Sequence, residues 1–303
     1  MARVLELSAP TNCLEIRAGV LFAAARFARL QSDDLALDLA LECLEIARSI
    51  GHLHHASGAL TLLGHYAMQR GNLGTARAYY EEALSIRRGL GEAWSIAMSL
   101  GSLGQVKLEE RDLDRARTLV EESVALFHAT GDIYLVAIRL FDLGLVAFLA
   151  GDLASARSYH EESLGILRQM GDRPYIARGL IGLAQVASDE GDVEQARALL
   201  AESLSIASEI GARETIVSCL EEYAVLAATT GQSIRALRLA GAAQALRDAV
   251  GEPAPRYSTD RMRAALASTP HTLDEAEQAA TAATGRLMSI DEAIRFALTP
   301  GSA

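Results

Sequence analysis

The sequence predicts an all-α solenoid: helical hairpins stacked in a row and closed by a C-terminal helical cap. Three observations carry this expectation. Residue types recur in columns forty positions apart. Each period holds two stretches whose apolar residues fall at helical spacing. Glycine punctuates the stretches, where it can close a helix in the left-handed conformation.

The columns are readable directly. Glycine stands at Gly51, Gly91, Gly131, Gly171, Gly211 and Gly251, and alanine at Ala36, Ala76, Ala116, Ala156, Ala196 and Ala236. Ile46, Ile86, Leu126, Ile166, Ile206 and Leu246 form a branched apolar column, and Leu60, Leu100, Leu140, Leu180 and Leu220 a leucine column. No insertion or deletion interrupts the register from about residue 12 to residue 251, which marks a tandem array. Residues 1–251 are therefore read as six to seven helical hairpins and residues 252–303 as capping helices.

Within one period the elements follow in order. Ile133–Ala150 is a first helix, without proline; Gly151-Asp152 supplies a glycine stop and an aspartate start; Leu153–Met170 is a second helix; Gly171-Asp172 punctuates again. Gly64, Gly104 and Gly144, followed by Ala184 and Ala224, sit midway along successive first helices. Glycine inside a helix costs about 1 kcal/mol relative to alanine, so close approach of the partner helix, at the column of Ala76, Ala116 and Ala156, is the expected compensation. After Gly251 the period breaks at Pro253 and Pro255. Amphipathic helices are expected over Ser258–Ala267 and Leu273–Leu287, followed by "SIDEAIRFAL", covering the apolar end of the last hairpin.

Composition narrows the function. The chain has 303 residues, half of them hydrophobic, and a formal net charge of −11, which suits neither a nucleic-acid surface nor an anionic membrane. Lys107 is the one lysine among 28 basic residues, a bias suggesting a GC-rich bacterial source. Cys13, Cys43 and Cys219 have no metal-ligand or disulfide spacing. The N-terminus lacks the apolar core of a signal peptide, and no stretch approaches the roughly eighteen apolar residues of a membrane span. A cytoplasmic protein is expected.

The order of a leucine-glycine pair, a "GD" turn, alanine, an aromatic or aliphatic residue and then a small residue resembles the tetratricopeptide repeat (TPR), as in "GNLGTARAYYEEAL" (Gly71–Leu84) and "GDLASARSYHEESL" (Gly151–Leu164). The repeat here has forty residues against the usual 34 or so of that family. The closing stretches Arg235–Arg256 and Gly285–Leu298 look like the end of the TPR sensor region of MalT-like bacterial ATP-dependent transcriptional regulators. The resemblance implies a right-handed TPR superhelix with a concave groove lined by the first helices, and a sensor role beside an ATPase module. No GxxxxGK[ST] phosphate loop and no recognisable helix-turn-helix accompany the array. The expectation is the sensor part alone, free-standing or within a longer reading frame. The rival reading is a scaffold or adaptor that binds a peptide or helix with no ATPase involved.

No catalytic constellation is recognisable, so an enzyme, a cofactor and a metal are not expected. His52, His54 and His55, with His65 nearby, read as a solvated turn and helix start. Glu81-Glu82, Glu121-Glu122 and Glu161-Glu162, with Arg77, Arg117 and Arg157 one turn earlier, read as solvated charge pairs within a helix. A protein or peptide partner in the concave groove is the expected ligand. The groove positions implied by the resemblance are Trp94, Met98, Gln105, Tyr134, Ile138, Phe141, Leu145, Phe148, Arg178, Ile181 and Gln185. The same columns continue through Ser188, Asp189, Ser218 and Glu221, and the two phenylalanines make the central period the apolar one.

Overall fold

A computed structural model describes residues 11–28, 33–251, 256–269 and 273–299, so Pro253 and Pro255 lie outside the described residues. Among these, every element is a helix, and the chain divides into two compact units, Met1–Thr130 and Gly131–Ala303.

The first unit holds three hairpins: α1 (Thr11–Ala28) with α2 (Asp33–Ser49), α3 (Leu53–Gln69) with α4 (Leu73–Leu90), and α5 (Ala93–Glu109) with α6 (Leu113–Thr130). The second holds three more: α7 (Ile133–Leu149) with α8 (Leu153–Met170), α9 (Arg173–Asp189) with α10 (Val193–Glu209), and α11 (Arg213–Thr229) with α12 (Ser233–Val250). It ends in α13 (Arg256–Ser268), α14 (Glu275–Arg286) and α15 (Ile290–Leu298). Within a unit each second helix packs on its own partner and on the first helix of the following hairpin. In the second unit the first helices α7, α9 and α11 also touch one another, while α8, α10 and α12 do so marginally at most. That stack therefore closes towards its first-helix side, the inner face.

The punctuation works as its chemistry dictates. Gly51, Gly91, Gly131, Gly171, Gly211 and Gly251 all have positive φ. Asp132, Asp152, Asp172 and Asp192 cap α7, α8, α9 and α10, each carboxylate accepting the amide proton three residues on. Arg111 occupies the position that glycine holds at Gly71, Gly151 and Gly191, with φ of 63°.

The mid-helix glycines first meet a residue one turn beyond the expected alanines, and at Gly104 the Ala116 carbonyl as well, at 3.6 Å. A Cβ at Gly64 would run into the Tyr80 ring, one at Gly104 into Val120, and one at Gly144 into His160. The first partner lies four residues beyond the alanine column, so the glycines make room for its side chain where the two helices pack together. The alanines Ala76, Ala116, Ala156, Ala196 and Ala236 are themselves fully buried.

A second lock joins consecutive helices. Ser123, Ser163 and Ser203 each donate a hydroxyl, at 2.7 Å, to the carbonyl of Ala97, Ala137 and Ala177, and the Cys43 thiol reaches Ala18 in the same way. The charge pairs differ from the within-helix pattern too. Arg157–Glu161 holds it at 3.8 Å, but most arginines reach the next hairpin: Arg48–Glu82 at 2.6 Å, Arg88–Glu122 at 3.2 Å, Arg168–Glu202 at 2.8 Å and Arg77–Glu110 at 2.9 Å. These pairs are largely solvated and contribute between zero and about 1 kcal/mol each.

The closing helices split into two groups. α14 packs on α12 so closely that a Cβ at Gly241 would strike the Ala282 carbonyl, and one at Gly285 the Arg238 carbonyl. α15 lies against α11 and α12, burying Ala293 and Ala297, while Arg235 donates to the carbonyls of Phe296, Ala297 and Thr299 at its C-terminus. α13 behaves differently: it packs mainly on α11 and little on α12, the reverse of the first helix of a further repeat.

Candidate functional site

The first helices carry the sequence-selected residues because one side of each must face away from its hairpin partner. In the first unit these are on α5. Trp94 is 47% exposed and sets its ring edge towards Phe127 of α6 at 6.3 Å; Met98 is half-buried and Gln105 exposed.

In the second unit the selected residues fall into two groups along α7 and α9. Towards the helix starts, the Tyr134 hydroxyl donates to Asp172 Oδ2 at 2.9 Å, while Asp172 Oδ1 accepts from the Tyr175 amide. Partial burial and then this hydrogen bond push the Tyr134 phenol up to about 12. The Tyr134 and Tyr175 rings meet edge to face at 6.5 Å. The exposed Arg178 guanidinium lies 5.3 Å from the centroids of both Tyr175 and Phe141. Tyr134, Tyr175, Arg178 and Phe141 thus form a ladder of amphipathic groups across α7 and α9. Stacking of this kind holds the aromatic faces in place without dehydrating them fully. Ile138, Leu145 and Ile181 are buried beneath.

Towards the helix ends lies a second constellation, with Phe148 and Gln185 in it. Gln185 is buried and donates its side-chain amide to Glu222 Oε1 at 2.7 Å. Glu222 Oε2 accepts from Arg261 Nε of α13 at 3.2 Å, and Arg261 also pairs with Asp189 at 2.7 Å. The same guanidinium stands 5.1 Å from the centroid of Phe148. Next to it, Glu221 accepts from Arg247 at 2.6 Å and, through its other oxygen, from the Ser258 hydroxyl at 2.6 Å. Burial raises the pKa of the Glu222 carboxyl, against the pull of Arg261 and Gln185. Burial also works against the charge of Arg261, but Glu222 and Asp189 more than offset it and hold the guanidinium charged.

Glu222, Arg247 and Arg261 are not among the residues the repeat pattern selects. A signal exists in the doubled carboxylate of "SCLEEYAVLA", which places two acids in the middle of a first helix, next to the apolar run Tyr223–Ala228. The partner of Glu222, Arg261, lies beyond the periodic region and no column points to it, while Glu221 pairs with Arg247 of α12.

The histidines of the α2–α3 turn are used locally. His52 Nδ1 accepts from the His55 amide at the start of α3, the two rings stack at 4.2 Å, and His52 Nε2 lies 3.2 Å from Glu15. His160 is 1% exposed, lies against Gly144 and Gly182, and finds no hydrogen-bond partner for either ring nitrogen.

Comparison with known proteins agrees with this architecture. Residues 55–128 and 95–169 match the tetratricopeptide repeat family model. No curated protein matches the chain by sequence. Aspartyl phosphate phosphatase F from Bacillus subtilis superposes with a TM-score of 0.61 at 8% identity, over 86% of this chain and 70% of that one. RapI in its apo form gives 0.59 at 12% identity over 82% and 96% of the two chains. The TPR-like repeats of a kinesin light chain from Podospora anserina give 0.51 at 16% identity over 68% and 99%. At these identities the likeness is one of fold: an all-α solenoid of TPR type.

Proposed function

We propose that this chain is a non-enzymatic binding module that takes a protein or peptide segment, in helical form, on the inner face of its first helices. One observation carries the proposal: in the second unit that face already holds a helix, α13, through side chains of α7, α9 and α11. A surface that seats one helix by a guanidinium, a hydroxyl and a few apolar contacts has the chemistry to seat another. The Tyr134–Tyr175–Arg178–Phe141 ladder extends the same surface, with rigid aromatic faces and a cation of the kind enriched where binding energy concentrates.

The two readings of such a module are a sensor within an ATP-dependent transcriptional regulator and an open scaffold. The position of α13 favours the sensor, because a segment lying across the binding face makes occupancy conditional. The likeness of the closing stretches to MalT-like regulators adds an ATPase module as the receiver of that condition. α14 and α15, set on the last hairpin, serve as the cap.

The test is a display selection of helical peptides against the full chain and, in parallel, against Arg261→Gln, followed by affinity measurements on Arg178→Glu. Arg178 is exposed, so the substitution should leave the circular dichroism unchanged. Selected peptides are expected to lose at least about ten-fold in affinity for Arg178→Glu, roughly 1.4 kcal/mol. Failure to select any peptide from either chain would overturn the module reading. Selected peptides indifferent to Arg178 would take the Tyr134–Tyr175–Arg178–Phe141 ladder out of the binding site.

A further inference from the structure

We infer that Phe148, Asp189 and Glu222 form a recognition cradle for an arginine side chain, and that α13 is its built-in, displaceable occupant. The inference rests on the inner face being a helix-binding surface and names the group that surface reads.

The geometry of the cradle is specific to a guanidinium. Asp189 and Glu222 come from different helices and meet different nitrogens of the Arg261 side chain, Nη2 at 2.7 Å and Nε at 3.2 Å. Phe148, from a third helix, presents its ring 5.1 Å from the guanidinium carbon. Gln185 fixes the Glu222 carboxylate through its second oxygen, so the acceptor is aimed before any ligand arrives. A guanidinium, flat and forked, offers its face to the ring while separate N–H groups reach the two carboxylates; a lysine ammonium meets the same groups as a compact, strongly hydrated point charge. Glu222 is 6% exposed at its side chain, and a carboxylate so buried calls for a cation.

The occupant is held differently from the repeat helices. Along α13 Ser258 is the one buried residue, while Met262, Ala265 and Leu266 contribute only partly buried apolar surface. α12, by contrast, buries Ala236, Leu237, Leu239, Ala240, Ala242 and Ala243. The attachment of α13 is therefore mostly polar: Arg261 in the cradle, Ser258 on Glu221, and Thr269, just beyond the helix, on the Ala228 carbonyl at 3.3 Å. Water alone would leave the buried Glu222 without a cation, so the helix gives way to a competitor that brings a cation of its own. The competing partner is a helical segment that offers an arginine at the position of Arg261. Displacing α13 would leave α14 and α15 in place on α12.

The experiment uses the full chain and, as probe, the fluorescein-labelled peptide RYSTDRMRAALAST, which is residues 256–269. In wild-type protein the amides of α13 are expected to exchange at least about a hundred-fold faster than those of α11, and faster still in Arg261→Gln, with α14 unchanged. The probe is expected to bind Arg261→Gln at least about ten-fold more tightly than wild type, because the tethered occupant competes at high effective concentration. A probe that itself carries Arg261→Gln should lose that binding. Equal protection of α13 and α11 in wild type would show a fixed structural helix and overturn the inference, whether or not the variant folds. Equal affinity of the probe for both chains, or binding indifferent to its arginine, would overturn it as well. A fixed α13 leaves the Arg178-dependent peptides of the preceding test standing, so the two failures are distinguishable.

Discussion

At the scale of single residues, His160 is the position where solution conditions should matter most. Its imidazole is enclosed between Gly144 and Gly182, and burial lowers its pKa from 6.5 to about 4. The folded state therefore binds the proton less readily than the unfolded chain. The stability this represents is fully present above pH 6.5 and is lost as pH falls from 6.5 through 4. The loss should approach about 3 kcal/mol, since each tenfold difference in proton affinity between the two states corresponds to about 1.4 kcal/mol. Denaturant titrations between these limits should show a slope in wild type that His160→Val, which copies Val120 of the same column, removes. Arg111 is a second such residue. Its φ of 63° is easy for glycine and costs a side-chain-bearing residue about 1 kcal/mol or more. Arg111→Gly should raise the midpoint of thermal unfolding, and an unchanged midpoint would mean that the arginine's own contacts offset the backbone cost.

At the scale of helices, two contacts set how neighbours dock. The serine column ties each second helix to the first helix before it, and removing one hydroxyl should cost about 1 kcal/mol, because the helix carbonyl it caps gains little from any other donor in a buried site. Ser163→Ala measured by chemical denaturation checks this. The crossing of α12 and α14 is stricter. Gly241 faces the backbone of Ala282, which cannot swing aside as a side chain can. Gly241→Ala should cost about 1–3 kcal/mol and raise hydrogen exchange in α14 before it does so in α9 or α10. By comparison, the exposed pairs Arg48–Glu82 and Arg168–Glu202 should respond little to single alanine substitutions.

At the scale of the whole chain, stability is distributed by nearest-neighbour packing rather than by one central core. A substitution deep in one hairpin should be felt most by the hairpins that touch it. Leu180 is fully buried in α9, and Leu180→Ala should cost about 2–5 kcal/mol. Hydrogen exchange should rise first in α7 to α10 and least in α15. A uniform rise across the second unit would instead mean that its hairpins unfold as one cooperative block. Several second-helix carboxylates, Glu82, Glu122 and Glu202 among them, pair with an arginine of an adjacent hairpin.

The sequence by itself determined the class of fold, the forty-residue period and the position of nearly every helix end. Those properties rest on local chemistry: glycine at positive φ, aspartate at the helix start, and apolar residues at helical spacing. The resemblance to the TPR also implied Tyr134, Phe141, Phe148, Arg178 and Gln185 as positions of one groove. Tertiary structure decided what those columns meet. A Cβ at Gly144 would meet His160, one turn beyond Ala156, a contact between helices that the small-residue columns do not name. Phe148 and Gln185 share a site with Glu222 and Arg261 because α13, outside the repeat, folds back onto α11. Contacts between residues so far apart in the chain leave no period to read, and they depend on where three separate helices bring a ring and two carboxylates around one guanidinium.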